Sequence, residues 1–237
     1  IPKTMDNDIL WVWQSFGFST AVEKAREIIN CLSTEVQSNP RICIVQLFGS
    51  VSGFVVSHAV LSSHAGQCDA ALIPEAPFTI KALAENLIGN LQQHGQLLPA
   101  MIVMAETAVP MDADNYVQNA NLTEGEKEAL RTYQRQDAYL EGQTSYELRS
   151  AGLKLVLSGL EAELSKHGGK NFKVRLFSNE PRHILRATSP SFSDIIFGER
   201  LGTLAVDNAM AGYSDFMVSQ WLTEYVLVPL RLVALGR

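Results

Sequence analysis

The sequence predicts an α/β fold built on a parallel sheet. Three short runs, Ile42–Leu47, Ala70–Ile73 and Ala100–Ala105, alternate with longer stretches of helical spacing. That β-α-β-α-β order is how parallel sheets are built. The runs are largely apolar instead of alternating with polar residues, as strands covered on both faces require. The composition supports a sizeable core: 237 residues, 46% hydrophobic and 19% charged.

Taken in order, Val22, Ala25, Ile28, Ile29 and Leu32 recur at helical steps, predicting a helix from Thr20 to about Thr34. Asn39-Pro40 breaks the pattern before the first strand. Gly49 and Gly53 make a turn, and a helix follows from Phe54 to about His64. Pro74-Glu75 ends the second strand. Thr79 caps a helix from Ile80 to about His94. The third strand ends at Glu106. Gly49, Glu75 and Glu106 therefore stand near the carboxyl ends of strands, where ligands gather in such sheets.

From about 107 to 170 the pattern turns polar, then helical. Thr123 with Glu126 forms a capping box for a helix through about Tyr139. A second helix runs from Ser145 to His167 and carries Leu148, Leu153, Leu157, Leu160 and Leu164; Gly168-Gly169 ends it. This region reads as a helical insertion. Lys173–Phe177 predicts another strand, Ser191 to about Ala211 a helix, and Phe216–Val218 and Tyr225–Val228 two strands, the last closed by Pro229.

The net charge of −6 argues against a general nucleic-acid surface, which needs a basic patch. An anionic substrate would need a local cluster of Arg, Lys and His. Cys31, Cys43 and Cys68 lack metal-ligand spacing and read as reduced, buried thiols of a cytoplasmic protein. No apolar run is long enough to span a bilayer, so no membrane partner is expected.

The richest chemistry lies at the start, in Ile1-Pro2-Lys3-Thr4-Met5-Asp6-Asn7-Asp8. Pro2 favours a loop, and Thr4, Asp6 and Asp8 at two-residue spacing can share a face. One carboxylate can take a proton from a hydroxyl and another can hold Mg²⁺. Lys3 can sit against a phosphate. Positioning and charge neutralisation are what phosphoryl transfer needs. By spacing alone, an ordinary surface turn uses the same residues.

The string P-K-T-M-D-N-D, followed by Phe16-Gly17-Phe18-Ser19-Thr20-Ala21, resembles the signature of the phosphofructokinase family. The resemblance covers roughly residues 1–106 and 181–230. It implies a Rossmann-like parallel-sheet phosphofructokinase fold with a helical insertion, and transfer of a phosphoryl group to the 1-hydroxyl of fructose 6-phosphate. It implies Asp6 as general base, Asp8 as the residue positioning Mg²⁺, and Thr4 and Lys3 holding the transferring group. Arg41 precedes the first strand as does a family Arg that reaches a neighbouring subunit's sugar-phosphate site, implying a homodimer or homotetramer. Phe48-Gly49-Ser50 stands at the family's M-G-R, keeping Gly49 and losing the Arg to Ser50. Ile102–Glu106 resembles the strand end whose Glu accepts bonds from sugar hydroxyls. His183-Ile184-Leu185-Arg186 resembles the segment that holds the sugar 6-phosphate. Ile195 replaces a second family Arg, just after Asp194.

In that family a donor-binding region with Gly-rich loops precedes the opening motif, so the resemblance reads this sequence as lacking an N-terminal part. On that reading, residues 1–20 end the donor lobe, 21–185 form the sugar-phosphate lobe, and 186–237 return toward the donor lobe. Lys3 goes with pyrophosphate as donor in the family, whereas Gly there goes with ATP. The resemblance thus points to a pyrophosphate-dependent enzyme. An ATP-dependent one, and a degenerate regulatory subunit suggested by Ser50 and Ile195, are the alternatives. Two Trp, Trp11 and Trp13, stand where the family has small polar residues and read as core packing.

Overall fold

The computed structural model describes residues 1–64, 67–94, 99–135, 145–167 and 175–235. Four parallel strands, β1 (Ile42–Leu47), β2 (Ala70–Leu72), β3 (Ala100–Ala105) and β4 (Leu176–Asn179), form one sheet in the order β2-β3-β1-β4. Every residue of β1 and β3 is buried, as their largely apolar runs require of central strands. Helices α1 (Phe18–Ser38) and α2 (Phe54–Ser62) pack together and against β1 and β3. Helices α3 (Ile80–His94) and α5 (Tyr146–His167) pack together as the second layer, and α5 also meets β4.

α1 buries Phe18, Ala21, Ala25, Ile29 and Val36, one stripe at helical spacing. Gly17, at φ 100°, precedes it in the left-handed region that favours glycine. No side chain of its own caps this end, and Asp194 does so from a distance. Its Oδ1 accepts from the Gly17 amide at 3.1 Å and its Oδ2 from the Thr20 amide at 2.8 Å, with the Thr20 hydroxyl also donating to Oδ2. Asp194 lies in the first turn of α7 (Phe192–Met210), so one buried carboxylate joins two helix N-termini.

Between β3 and β4 lie a 3-10 turn (Ala113–Asn115), α4 (Glu124–Arg135) and α5. The capping box forms: the Thr123 amide donates to Glu126 Oε2 at 2.8 Å, and the Glu126 amide to Thr123 Oγ1 at 3.3 Å. The region beyond Arg135 toward Tyr139, the start of the predicted Lys173–Phe177 strand, and Gly168-Gly169 lie outside the described residues. α5 is built into the molecule: Leu148, Ala151, Leu155, Val156, Leu160 and Leu164 share one core with β1 and β3. Each of these buried Leu and Val side chains contributes about 1.5–3 kcal/mol.

After β4 comes α6 (Arg182–Ala187), which the sequence did not announce as a helix. After α7, β5 (Phe216–Trp221) and β6 (Glu224–Pro229) pair antiparallel in a separate hairpin, followed by α8 (Leu230–Val233). Two expectations are corrected. Trp11 and Trp13 are exposed, at 50% and 57%. The Trp13 amide and Trp11 carbonyl are tied to Gln220 and Ser219 of β5, which holds the backbone and leaves the rings on the surface. Cys31 is exposed, because it falls off the buried stripe of α1. Burial does push the Cys43 thiol up to about 12 and the Cys68 thiol to about 11. No helix among the described residues is long and apolar enough to cross a membrane.

Candidate active site

β1 and β3 are neighbours whose connections leave in different directions, β1 through α2 to β2 and β3 through α4 and α5 to β4. Such a switch point opens a crevice at the carboxyl ends of the strands. The turn after β1 runs across it. The Ser52 amide donates to the Gly49 carbonyl at 2.7 Å, so tightly that a Cβ on Gly49 would lie 2.2 Å from the Ser52 oxygen. Ser50 adopts φ 49°. Its amide donates to Glu106 Oε1 at 3.1 Å, and its carbonyl accepts from the Thr107 hydroxyl. After β2, Glu75 Oε1 accepts from the Gly53 amide at 2.8 Å, tying that strand end to the start of α2.

The opening loop joins this edge through Ser52, whose Oγ donates to the Asp6 carbonyl at 3.2 Å. The loop is a turn organised by Thr4 and Asn7. Thr4 Oγ1 donates to Asp8 Oδ1 at 3.4 Å and accepts from the Asp6 amide at 3.2 Å, which gathers the three predicted residues around one hydroxyl. Asn7 is 8% exposed and left-handed at φ 55°. Its Oδ1 accepts from the Ser15 amide at 2.7 Å and its Nδ2 donates to the Trp13 carbonyl at 3.2 Å. Lys3 pairs with Phe16 through a backbone bridge and is exposed. Asp6 and Asp8 are half-buried. Among the described residues no cluster of three or more His, Cys, Asp or Glu could cage a metal. Two carboxylates fit Mg²⁺, which keeps waters and shares substrate phosphates.

Glu106 ends β3 at 5% exposure. Its Oε2 faces two guanidinium groups, Arg149 Nη1 at 3.5 Å and Arg182 Nη2 at 3.8 Å. Arg182 and Arg186, one helical turn apart on α6, both lie against the Phe48 ring, at 5.3 and 4.4 Å from its centroid. The fold thus brings Phe48, Gly49, Glu106 and Arg186 to one edge, and the Ser52 tether joins the Asp6 backbone of the opening loop to it. His183 is exposed on α6 beside them in sequence. Arg41 stands at the other end of β1, a strand about 20 Å long at strand rise. It pairs with Glu35 and lies 4.6 Å over the Phe177 ring. There it lines a polar cavity of about 350 Å³ with Asn39, Glu161, Arg175 and Leu176. Ile195 is 47% exposed on α7.

Sequence reasoning missed Asn7, Ser52, Arg149 and Arg182. The four-residue spacing of Arg182 and Arg186 is a signal for one helical face, but only once residues 182–187 are known to be helical. For Arg149 no local signal exists.

The Phosphofructokinase family model matches residues 1–209. The chain belongs to the phosphofructokinase family. The ATP-dependent 6-phosphofructokinase 7 of Arabidopsis thaliana is 33% identical over 224 residues, covering 91% of this chain and 40% of that protein. The ATP-dependent 6-phosphofructokinase of Borreliella burgdorferi is 30% identical over 244 residues, covering 100% of this chain and 49% of that protein. The chain therefore spans half or less of the length of these two relatives. The crystal structure of a pyrophosphate-dependent phosphofructokinase from Nitrosospira multiformis superimposes with a TM-score of 0.68 at 16% identity, covering 100% of this chain and 52% of that one. At that identity the likeness is one of fold. It matches the parallel-sheet phosphofructokinase fold expected of the sequence.

Proposed function

We propose that the whole protein is a 6-phosphofructokinase, moving a phosphoryl group to the 1-hydroxyl of fructose 6-phosphate. The observation that carries this is the Thr4–Asp6–Asp8 cluster, tied through Ser52 to the carboxyl edge of a phosphofructokinase-family sheet. Asp6 takes the proton of the attacking hydroxyl. Asp8 holds Mg²⁺, which when bound neutralises charge on the phosphoryl oxygens. Thr4 fixes the two acids relative to one another. Glu106 accepts from the sugar, and Arg186 with His183 faces its 6-phosphate. Arg41, remote from this edge, serves a neighbouring subunit of a homodimer or homotetramer.

ATP is the donor placed first, because the relatives near 30% identity are named for it. Pyrophosphate is the second reading, favoured by Lys3, whose ammonium fills room an α-phosphate would use. A degenerate subunit is favoured by Ser50 and Ile195, each of which removes a guanidinium. The test is on the full-length protein with fructose 6-phosphate and Mg²⁺, adding ATP or pyrophosphate in separate reactions. The expected result is fructose 1,6-bisphosphate with ATP. Product with pyrophosphate alone moves the donor to the second reading. Sugar-phosphate binding without product from either donor overturns the kinase reading in favour of the degenerate subunit.

A further inference from the structure

We propose that Arg149, on the helix that matched no motif, is a positioning residue for Glu106 and couples α5 to sugar recognition. The inference rests on the reading of Glu106 as the sugar's acceptor. Glu106 has a buried carboxylate whose Oε1 is spent on the Ser50 amide, while Oε2 takes no hydrogen bond among the described residues. Its two cationic neighbours stand at 3.5 and 3.8 Å, beyond hydrogen-bonding reach for that geometry. Burying a carboxylate is costly unless opposite charge and hydrogen-bond donors compensate it. The arginines supply the charge.

Arg149 is built to stay where it is. Its carbonyl accepts from Nε2 of Gln46, a strand residue that is 1% exposed. Its guanidinium lies 5.8 Å from the Tyr146 ring centroid, and its side chain is 14% exposed. Arg182 approaches from the other side on α6, with its Nε buried and without a hydrogen bond among the described residues. Both arginines also line a cavity of about 210 Å³ with Lys154 and Glu180. With Ser50 in place of a family Arg, the turn after β1 brings no guanidinium to this edge, while α5 and α6 bring two to Glu106, those of Arg149 and Arg182. The charge balance of the sugar site therefore depends on α5.

The experiment compares wild type, Arg149→Met and Arg149→Lys in the full-length protein. It measures fructose 6-phosphate affinity by calorimetry, KM and kcat with saturating donor, and the thermal midpoint. Arg149→Met is expected to weaken sugar-phosphate binding and raise KM about tenfold or more, with a smaller change in kcat, and Arg149→Lys to recover most of the loss. A purely structural role would be served as well by Met as by Lys. Equal behaviour of the two variants, or an unchanged KM in both, overturns the inference and leaves the kinase reading intact. Failure of the wild type to bind fructose 6-phosphate overturns both.

Discussion

Asn7 sets the geometry of the acids on either side of it. It holds a left-handed backbone that an asparagine tolerates, and it spends both ends of its amide on Ser15 and Trp13. Asn7→Ala leaves the Ser15 amide buried without that partner and strains the left-handed turn, at a cost of about 1–3 kcal/mol. The thermal midpoint is expected to fall, with turnover falling alongside it as Asp6 and Asp8 lose their register. An unchanged midpoint would show that the loop is held by its other bonds, such as that from Ser15 Oγ to the Thr4 carbonyl. The residue types of the loop were legible in the sequence, and so was their chemistry. Their arrangement was not, because it comes from a backbone conformation and from bonds that reach eight residues down the chain.

Helices and strands show a similar division. β1 and β3 were legible to the residue, since a run buried on both faces has nothing to alternate. α5 was legible as a helix, but helical spacing does not say what a helix packs against, so its place in the core came only with the structure. The capping box of α4 was read from Thr123 and Glu126 alone. The structure adds that Glu126 Oε1 also accepts from Ser150 and Lys154 of α5, at 2.6 and 2.7 Å. Burial alone would raise the Glu126 carboxyl. The bonds from Lys154, Ser150 and the Thr123 amide outweigh it and hold the group down at about 2. A carboxyl lowered on folding contributes stability that is complete above its unfolded value of about 4.3 and is lost as pH falls through about 2. Acid unfolding should therefore be steeper in wild type than in Glu126→Gln over that window. Parallel curves would mean that the α4–α5 joint does not depend on the Glu126 charge.

At the scale of the whole molecule, the site exists because the sheet order is β2-β3-β1-β4. That order puts the turn after β1 beside Glu106 and lets α5 and α6 aim arginines at the same carboxylate. No spacing in the sequence encodes it, since it depends on strands far apart in the chain choosing one another. What the sequence did carry was the family's string from Pro2 to Asp8, and the family model confirms the membership. The departures at Ser50 and Ile195 were equally visible. The consequence at Ser50 was not, because Arg149 and Arg182 are remote from it in sequence. The central claim is that Asp6 is the base of a sugar kinase, and the most direct measurement is on Asp6→Ser in the full-length protein with fructose 6-phosphate, Mg²⁺ and the working donor. Turnover should fall by orders of magnitude, about 10²–10⁴-fold, while fructose 6-phosphate affinity measured by calorimetry stays close to that of wild type. Turnover retained in Asp6→Ser would contradict the account.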